Sequence, residues 1–276
     1  MFLRFINFAL WGSGLGLWLL GYAALIEPAL LFTRYLDFVS EKYEGPELRI
    51  GLITDIHINS PPVPPKRVRR LVEALNEASP DIVLIPGDFI AGHDKKEDRS
   101  ENFNDNIQKG IKHVSALQAP TFATIGNHDS WWSASSVRTL LEQSNVTVLE
   151  NDAIPLEHVC LVGLADFQTS QPNRTAYSEC PPGLLPLVFT HSPDAWRNFR
   201  SDTVLALAGH THGGQVNLPL IGRRVNATSL GPGHSYGFSK LGGVDVFVSA
   251  GVGTSILPIR FRAPPEIVVI TLRAPK

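Results

Sequence analysis

The sequence predicts a mixed α/β (α+β) fold in which a mixed sheet arrangement is covered by helices. Three observations support this. Short apolar runs alternate with stretches of helical spacing in the first half of the chain. In the second half, apolar runs follow one another with fewer helices between them, which suits a mixed sheet better than a purely parallel one. Glycine (23) and proline (21) are frequent enough to build many loops, the parts of such folds that hold chemistry.

In chain order, "LRIGLIT" (48–54), "DIVLIP" (81–86) and "TFATIG" (121–126) are continuous apolar runs of strand length and read as buried strands. Residues 66–78 and 103–117 carry helical spacing between them, and 133–144 follows the third run. "LPLVFTH" (185–191), "TVLALAG" (203–209), "DVFVSAG" (245–251) and "EIVVITL" (266–272) read as later strands. The polar stretch "AGHDKKEDRSENFNDN" (91–106) is expected to be a mobile surface loop, and its place after a strand makes it a candidate lid. Cys160 lies in the apolar run "HVCLVGLADF" and reads as a core residue, whereas Cys180 sits in the loop "SECPPG". Whether they pair is open. No internal repeat or low-complexity tract occurs.

The N-terminal end is different in kind. Residues 5–26, "FINFALWGSGLGLWLLGYAALI", contain no charge. At about 1.5 Å rise per residue the run is long enough for a hydrocarbon core of about 30 Å. A cleaved signal peptide fits less well, because Arg4 alone would form the basic region and no A-x-A-type site follows. The expectation is therefore a retained single-pass anchor in a bacterial inner membrane, with the bilayer as a partner. Pro28 suits the first turn of a second helix, and Leu31, Tyr35, Phe38 and Val39 then share one face. That face suits a membrane interface or the soluble domain equally well. The expected division is an anchor over 1–44 and a catalytic domain over 45–276, joined by the linker "YEGPE" (43–47). Lysine–arginine bias on the two sides of the run is too small to orient it. A net charge of −2 leaves no global basic field, so no nucleic-acid partner is expected.

Function enters at the strand ends. "LRIGLIT" runs into Asp55-Ile56-His57, "DIVLIP" into Gly87-Asp88, and "TFATIG" into Asn127-His128-Asp129. "LPLVFT" leads to His191 and "TVLALAG" to His210-Thr211-His212. Any one of these reads comfortably as a helix cap or a turn residue. Together they place ligand-type side chains after successive strands, where ligands of α/β folds bind. Carboxylate, amide and imidazole suit borderline divalent cations rather than a thiolate site or an all-oxygen calcium cage. The set Asp55, His57, Asp88, Asn127, His191, His210 and His212 exceeds what one tetrahedral ion needs. It fits two ions sharing a carboxylate, with Mn favoured and Zn or Fe as alternatives.

This ordered set, Asp-x-His, Gly-Asp, Gly-Asn-His-Asp, a lone His and Gly-His-x-His, resembles the calcineurin-like metallophosphoesterases from about Leu48 onward. The resemblance implies a two-layer β-sandwich flanked by helices. It implies one metal on Asp55, His57 and His212, another on Asn127, His191 and His210, and Asp88 bridging them. It makes His128 the catalytic histidine facing the leaving group, with Asp129 holding its ring. The N-terminal run ending "GYAALIEP" and the tail "VSAGVGTSILPIRFRAPPEIVVITL" look like the membrane-associated subgroup containing YkuE- and YaeI-type phosphodiesterases. Chlamydial-type UDP-2,3-diacylglucosamine pyrophosphatases are similar in the same way. Loops 91–106, 165–183 and 217–238 depart from that pattern and would shape the substrate pocket.

The expected activity is hydrolysis of a phosphodiester or pyrophosphate bond in a lipid-linked or nucleotide-sugar phosphate. UDP-2,3-diacylglucosamine of lipid A biosynthesis is the leading candidate, and a tethered phosphodiesterase of general substrate is the alternative. A scaffold without catalysis would tend to lose His128, which is present. Lys66, Arg67, Arg69 and Arg70 read either as contacts to anionic head groups or as a solvated helix face.

Overall fold

Two six-stranded sheets lie face to face in the computed structural model, which describes residues 14 and 16–276. The first contains β1 (Phe32–Val39), β2 (Leu48–Leu52), β3 (Ile82–Pro86), β4 (Thr121–Thr124), β5 (Val146–Val148) and the C-terminal strand β14 (Glu266–Arg273). Its order is β1-β14-β2-β3-β4-β5. The second holds β6 (Asp152–Pro155), β7 (Cys160–Leu164), β8 (Pro186–Thr190), β9 (Leu205–Ala208), β12 (Gly237–Leu241) and β13 (Val244–Val248). Its order is β12-β13-β9-β8-β7-β6. A small hairpin of β10 (Asn217–Leu218) and β11 (Gly222–Arg223) stands apart.

Both sheets are mixed. β2 to β5 run parallel, with β14 antiparallel to β2, and β7, β8, β9 and β13 run parallel between two antiparallel edges. Leu52, Leu84, Phe122, Leu187, Phe189, Leu207 and Phe247 fill the space between the sheets. The outer face of the first sheet is covered by α1 (Pro65–Ala78), α2 (Glu101–Lys112) and α3 (Asn127–Glu142). Val68, Leu71 and Leu75 recur at helical spacing and turn the apolar stripe of α1 onto that sheet. Parallel neighbours set their carboxyl ends side by side, and this brings the ligand clusters to one edge.

Several expectations change. The segment after Pro28 is no interfacial helix: a single turn of 3₁₀ helix, Glu27–Ala29, leads into β1, which pairs in parallel with β14 from Phe32↔Glu266 to Val39↔Arg273. Phe32, Thr33, Tyr35, Phe38 and Val39 are strand formers, and Leu36 and Phe38 alternate inward onto the core between the sheets. Without β1, the backbone groups along one side of β14 would lack partners. The division at residue 44 therefore cuts through the sheet. Tyr43, expected in the linker, is 2% exposed and its hydroxyl donates to the Pro46 carbonyl.

The stretch 91–106 is not all loop, because α2 begins at Glu101, capped by Ser100 Oγ accepting from the Phe103 amide. Arg67 is buried and donates to the carbonyls of Pro28, Leu30 and Pro62, so it cannot meet head groups. Arg69 pairs with Glu73 on the exposed face of α1. Cys160 and Cys180 form a disulfide that closes a separation of 20 residues and ties β7 to the 3₁₀ segment Arg174–Glu179. Residues 5–13 and 15 of the expected span 5–26 lie outside the described residues. No helix among the described residues is long and apolar enough to cross a membrane.

Removing residues 1–26 should therefore leave a folded domain, whereas removing 1–44 should not, because β1 and Tyr43 go with it. Thermal melting and size exclusion of the two truncations check this. A 1–44 deletion that melts within a few degrees of the other would show that β1 is dispensable.

Candidate dinuclear metal centre

Each cluster stands at the carboxyl end of a strand, where the backbone curls back sharply. Asp55, His57, Asp88, His210 and His212 all adopt positive φ, between 47° and 70°. Such conformations cost on the order of 1–3 kcal/mol each for residues with side chains, and persist only where surrounding bonds impose them. Those bonds are present. Asp55 N–H donates to Gly87 O, His57 N–H to Asp88 O, and Gly253 N–H to Asp55 O. Asn127, His128 and Asp129 form the first turn of α3, which is broken at Ser133 (φ 177°, ψ 96°), where the helix expected over 133–144 begins.

The side chains converge. Asp55, His57, Asp88 and His212 bring one ligand atom each within 4.8 Å of one another, and so do Asp88, His191 and His210. Asp88 belongs to both groups, its Oδ2 lying 3.5 Å from His57 Nε2 and 3.3 Å from His191 Nε2. Ring nitrogens face each other at 3.1 Å in the pairs His57–His212 and His191–His210. Asn127 Oδ1 lies 2.9 Å from His191 Nε2 and completes the second group. The structure thus brings together every side chain named from the sequence as a ligand.

Backbone and neighbouring groups aim these rings. His57 Nδ1 lies 3.1 Å from Ile90 O and His191 Nδ1 2.7 Å from Pro86 O, so these nitrogens donate outward and leave Nε2 facing the centre. Asp55 accepts from Thr54 Oγ1 and from the His210 amide, which lies 3.0 Å from both carboxylate oxygens. Gly209 permits this approach: a Cβ there would stand 2.4 Å from Asp55 Oδ2. Gly126 does the same for Asp88, where a Cβ would stand 2.2 Å from Oδ1.

The electrostatics fit cations. Burial lowers the His57 pKa to about 3 and that of His210 to about 4, and holds His212 well below the ordinary imidazole value. These rings are neutral at pH 7, with lone pairs free for coordination. Burial pushes the Asp55 carboxyl up to about 7, reinforced by Asp88 and opposed by His191. Burial also opposes the Asp88 charge, but the imidazoles of His191, His128 and His57 hold its carboxyl well below the usual range. Burial opposes the charge of His191, but Asp88 and Asp55 raise its pKa well above the ordinary imidazole value, so this ring must give up a proton when a divalent cation takes its Nε2.

Asp129 has a different role from the one expected. Its carboxylate accepts from the amides of Gly126, Asp88, Phe89 and Ile90 and does not touch the His128 ring. It caps α3 and fixes the Asp88 loop. The His128 ring is held instead by Gly92, whose carbonyl lies 2.6 Å from Nδ1. Nε2 faces the centre, 3.3 Å from Ser255 Oγ and 3.9 Å from Asp88 Oδ2. Gln168, at 3.0 Å from His210 Nε2, and buried Arg260, at 3.5 Å from His212 Nδ1, also brace the ligands. Gln168 comes shortly after the end of β7, past Asp166, and this place after a strand was the signal for it. Ser255 and Arg260 carried no comparable signal.

The sequence profile of the calcineurin-like phosphoesterases matches residues 48–214, a span that contains every ligand. The chain belongs to this family. It is 27% identical to the uncharacterized metallophosphoesterase YkuE of Bacillus subtilis, covering 92% of this chain and 90% of that protein. It is 30% identical to phosphodiesterase YaeI of Escherichia coli, covering 91% and 92%. A solved archaeal phosphodiesterase is similar at a TM-score of 0.40 and 16% identity, over 74% of this chain and 84% of that one. This calcineurin-like phosphoesterase is thus a hydrolase of phosphoester bonds with a buried Asp/His centre suited to divalent metals.

His128→Ala should fold and keep its metal while losing about 10²–10⁴-fold in kcat, because no ligand bond is removed but the leaving oxygen loses its donor. Nitrophenol esters, whose leaving group needs no proton, should lose far less. Loss of metal in the variant would make His128 a ligand.

Proposed function

We propose that this phosphoesterase hydrolyses a phosphodiester or pyrophosphate bond in a lipid-linked substrate at a membrane surface, with UDP-2,3-diacylglucosamine as the leading candidate. The observation that carries the reading is one cavity of about 350 Å³ with two kinds of lining. Asp88, Asn127, His210 and His212 are of one kind, and Val216, Val225, Ile256, Leu257 and Ile259 of the other. Phosphate suits the first and hydrocarbon the second.

The rim supports the same reading. Leu220, Ile256 and Val225 are 108%, 83% and 72% exposed, large apolar side chains open to solvent in the segments 216–225 and 255–259 that line this cavity. Arg224 and Arg262 are exposed in or near the same segments, a pairing of apolar tips and cations that suits an anionic bilayer. The apolar N-terminal segment adjoins them: Arg260 N–H donates to Ala23 O, and the Tyr22 and Phe261 rings meet edge to face. A single-pass anchor over residues 5–26, in a bacterial inner membrane, would place this rim on the bilayer.

Two divalent cations, Mn by preference, would neutralise the phosphate and supply a water nucleophile at neutral pH. The chain's own residues do the rest. Asp55, His57 and His212 would hold one cation and Asn127, His191 and His210 the other, with Asp88 available to both. The water oxygen forms the new bond to phosphorus as the bond to the leaving oxygen breaks. With Nδ1 held by the Gly92 carbonyl, His128 Nε2 gives that oxygen a proton only as imidazolium; burial holds its pKa below the ordinary imidazole value, with Asp88 opposing, so the donor form gains as pH falls. Gly92 keeps the ring turned so that Nε2, and not Nδ1, faces the reaction.

The disulfide favours a second reading, a tethered phosphodiesterase of general substrate in an oxidising compartment, where such bonds persist. A comparison of kcat/KM in detergent decides between the two. UDP-2,3-diacylglucosamine should exceed UDP-N-acetylglucosamine and a plain aryl phosphodiester by at least tenfold. Equal values would remove the lipid-linked substrate and leave the general phosphodiesterase.

A further inference from the structure

The reaction as described uses only one of the two cavities that meet at His128. The second, of about 310 Å³, contains none of the metal ligands. It is bounded by Asn59, Gly92, His93, Arg99, His128 and Ser255 among others. His128 lines both cavities and so stands on the boundary between them. A group leaving phosphorus past His128 has this second cavity on the far side of the ring.

Its chemistry is unlike that of the first. Arg99 holds a guanidinium there, stacked on the Phe103 ring at 4.4 Å. Its one ion pair is with Asp94 at 2.7 Å, a side chain that is 61% exposed and therefore screened by solvent. Arg99 Nε is buried and makes no hydrogen bond. A guanidinium carries five donors in a planar fork that matches phosphate oxygens, and among the described residues Arg99 spends that capacity only on Asp94. His93 also lines this cavity, its ring 4.6 Å from that of His128 and 5.1 Å from that of Trp131.

Gly92 couples the two parts. Its carbonyl accepts from His128 Nδ1, and a Cβ at this position would stand 1.9 Å from Arg99 Nη2. Positive φ (88°) at the same residue turns the carbonyl toward His128. One glycine thus aims the leaving-group histidine and leaves room for the cation next to it.

We infer that Arg99 is a specificity-determining residue that binds a second, anionic phosphate carried by the leaving group, so that pyrophosphate linkages are preferred over simple diesters. The inference rests on the phosphoesterase reading of the metal centre and not on a lipid substrate. In such a substrate the cleaved phosphorus lies against the metal ligands, and the departing phosphate monoester passes His128 into the Arg99 cavity.

The test uses full-length protein in detergent with Mn and two acyl-free probes, bis(p-nitrophenyl) phosphate and P1,P2-di(p-nitrophenyl) pyrophosphate. The inhibition constant of the pyrophosphate against hydrolysis of the diester is measured, so the result does not depend on its turnover. In Arg99→Ala and Arg99→Gln, that constant divided by the KM of the diester should rise roughly ten- to hundredfold, the usual worth of a charged hydrogen bond. Arg99→Lys should recover part of the loss. An unaltered ratio, or equal weakening toward both probes, would overturn the role of Arg99. Failure of the acylated-substrate comparison would leave this ratio untouched, so the two readings fail separately.

Discussion

Asp88 is a carboxylate with 1% exposure, placed between His57, His128 and His191, and the architecture serves to keep it there. A buried charge is tolerated only where partners surround it. Asp88 lies at the end of β3, the strand flanked by β2 and β4, which carry Asp55 and Asn127 at the same edge. Its Oδ1 accepts from the His128 amide in the first turn of α3, where the partial positive charge of the helix terminus adds to the attraction. Asp129 in that same turn collects four amides, three of them from residues 88–90. The carboxylate shared by the two ligand groups and the helix that carries His128 are thus fixed by one set of bonds.

The second sheet matters because it closes the other half of the centre. His191 follows β8 and His210 follows β9, adjacent parallel strands whose ends face those of β3 and β4 across the sandwich core. His191 donates to Pro86 O in the first sheet, and the His210 amide donates to Asp55. These bonds cross from sheet to sheet. The relative position of the two metal subsites therefore depends on how Phe122, Leu187, Phe189 and Phe247 pack between the sheets, far from any ligand. Large-to-small changes there are expected to move the subsites as well as to cost stability.

The ligands were legible in the sequence because each follows a continuous apolar run, a signal that needs no knowledge of pairing. The strands that carry them were legible for the same reason. β1 was not, since Leu31, Tyr35, Phe38 and Val39 satisfy a helical spacing as well as a strand, and over so few residues only the β-branched and aromatic content separates the two. The partner that makes it a strand, β14, lies at the other end of the chain. Asp129 was assigned by its neighbour in sequence, but in the first turn of a helix the side chain after His128 points at exposed amides rather than at the ring. Ser255, Arg99 and Arg260 reach the site from loops with no apolar periodicity, so nothing in their local sequence marks them.

Metal content tests the central claim most directly. Purified full-length protein, loaded with Mn or Zn and freed of excess, can be analysed by native mass spectrometry beside Asp88→Asn. With Asp88 shared by both groups, the account predicts two ions per chain in the natural protein and loss of bound metal at both positions in the variant. One ion per chain, or a variant that retains both, would contradict a dinuclear centre bridged by Asp88.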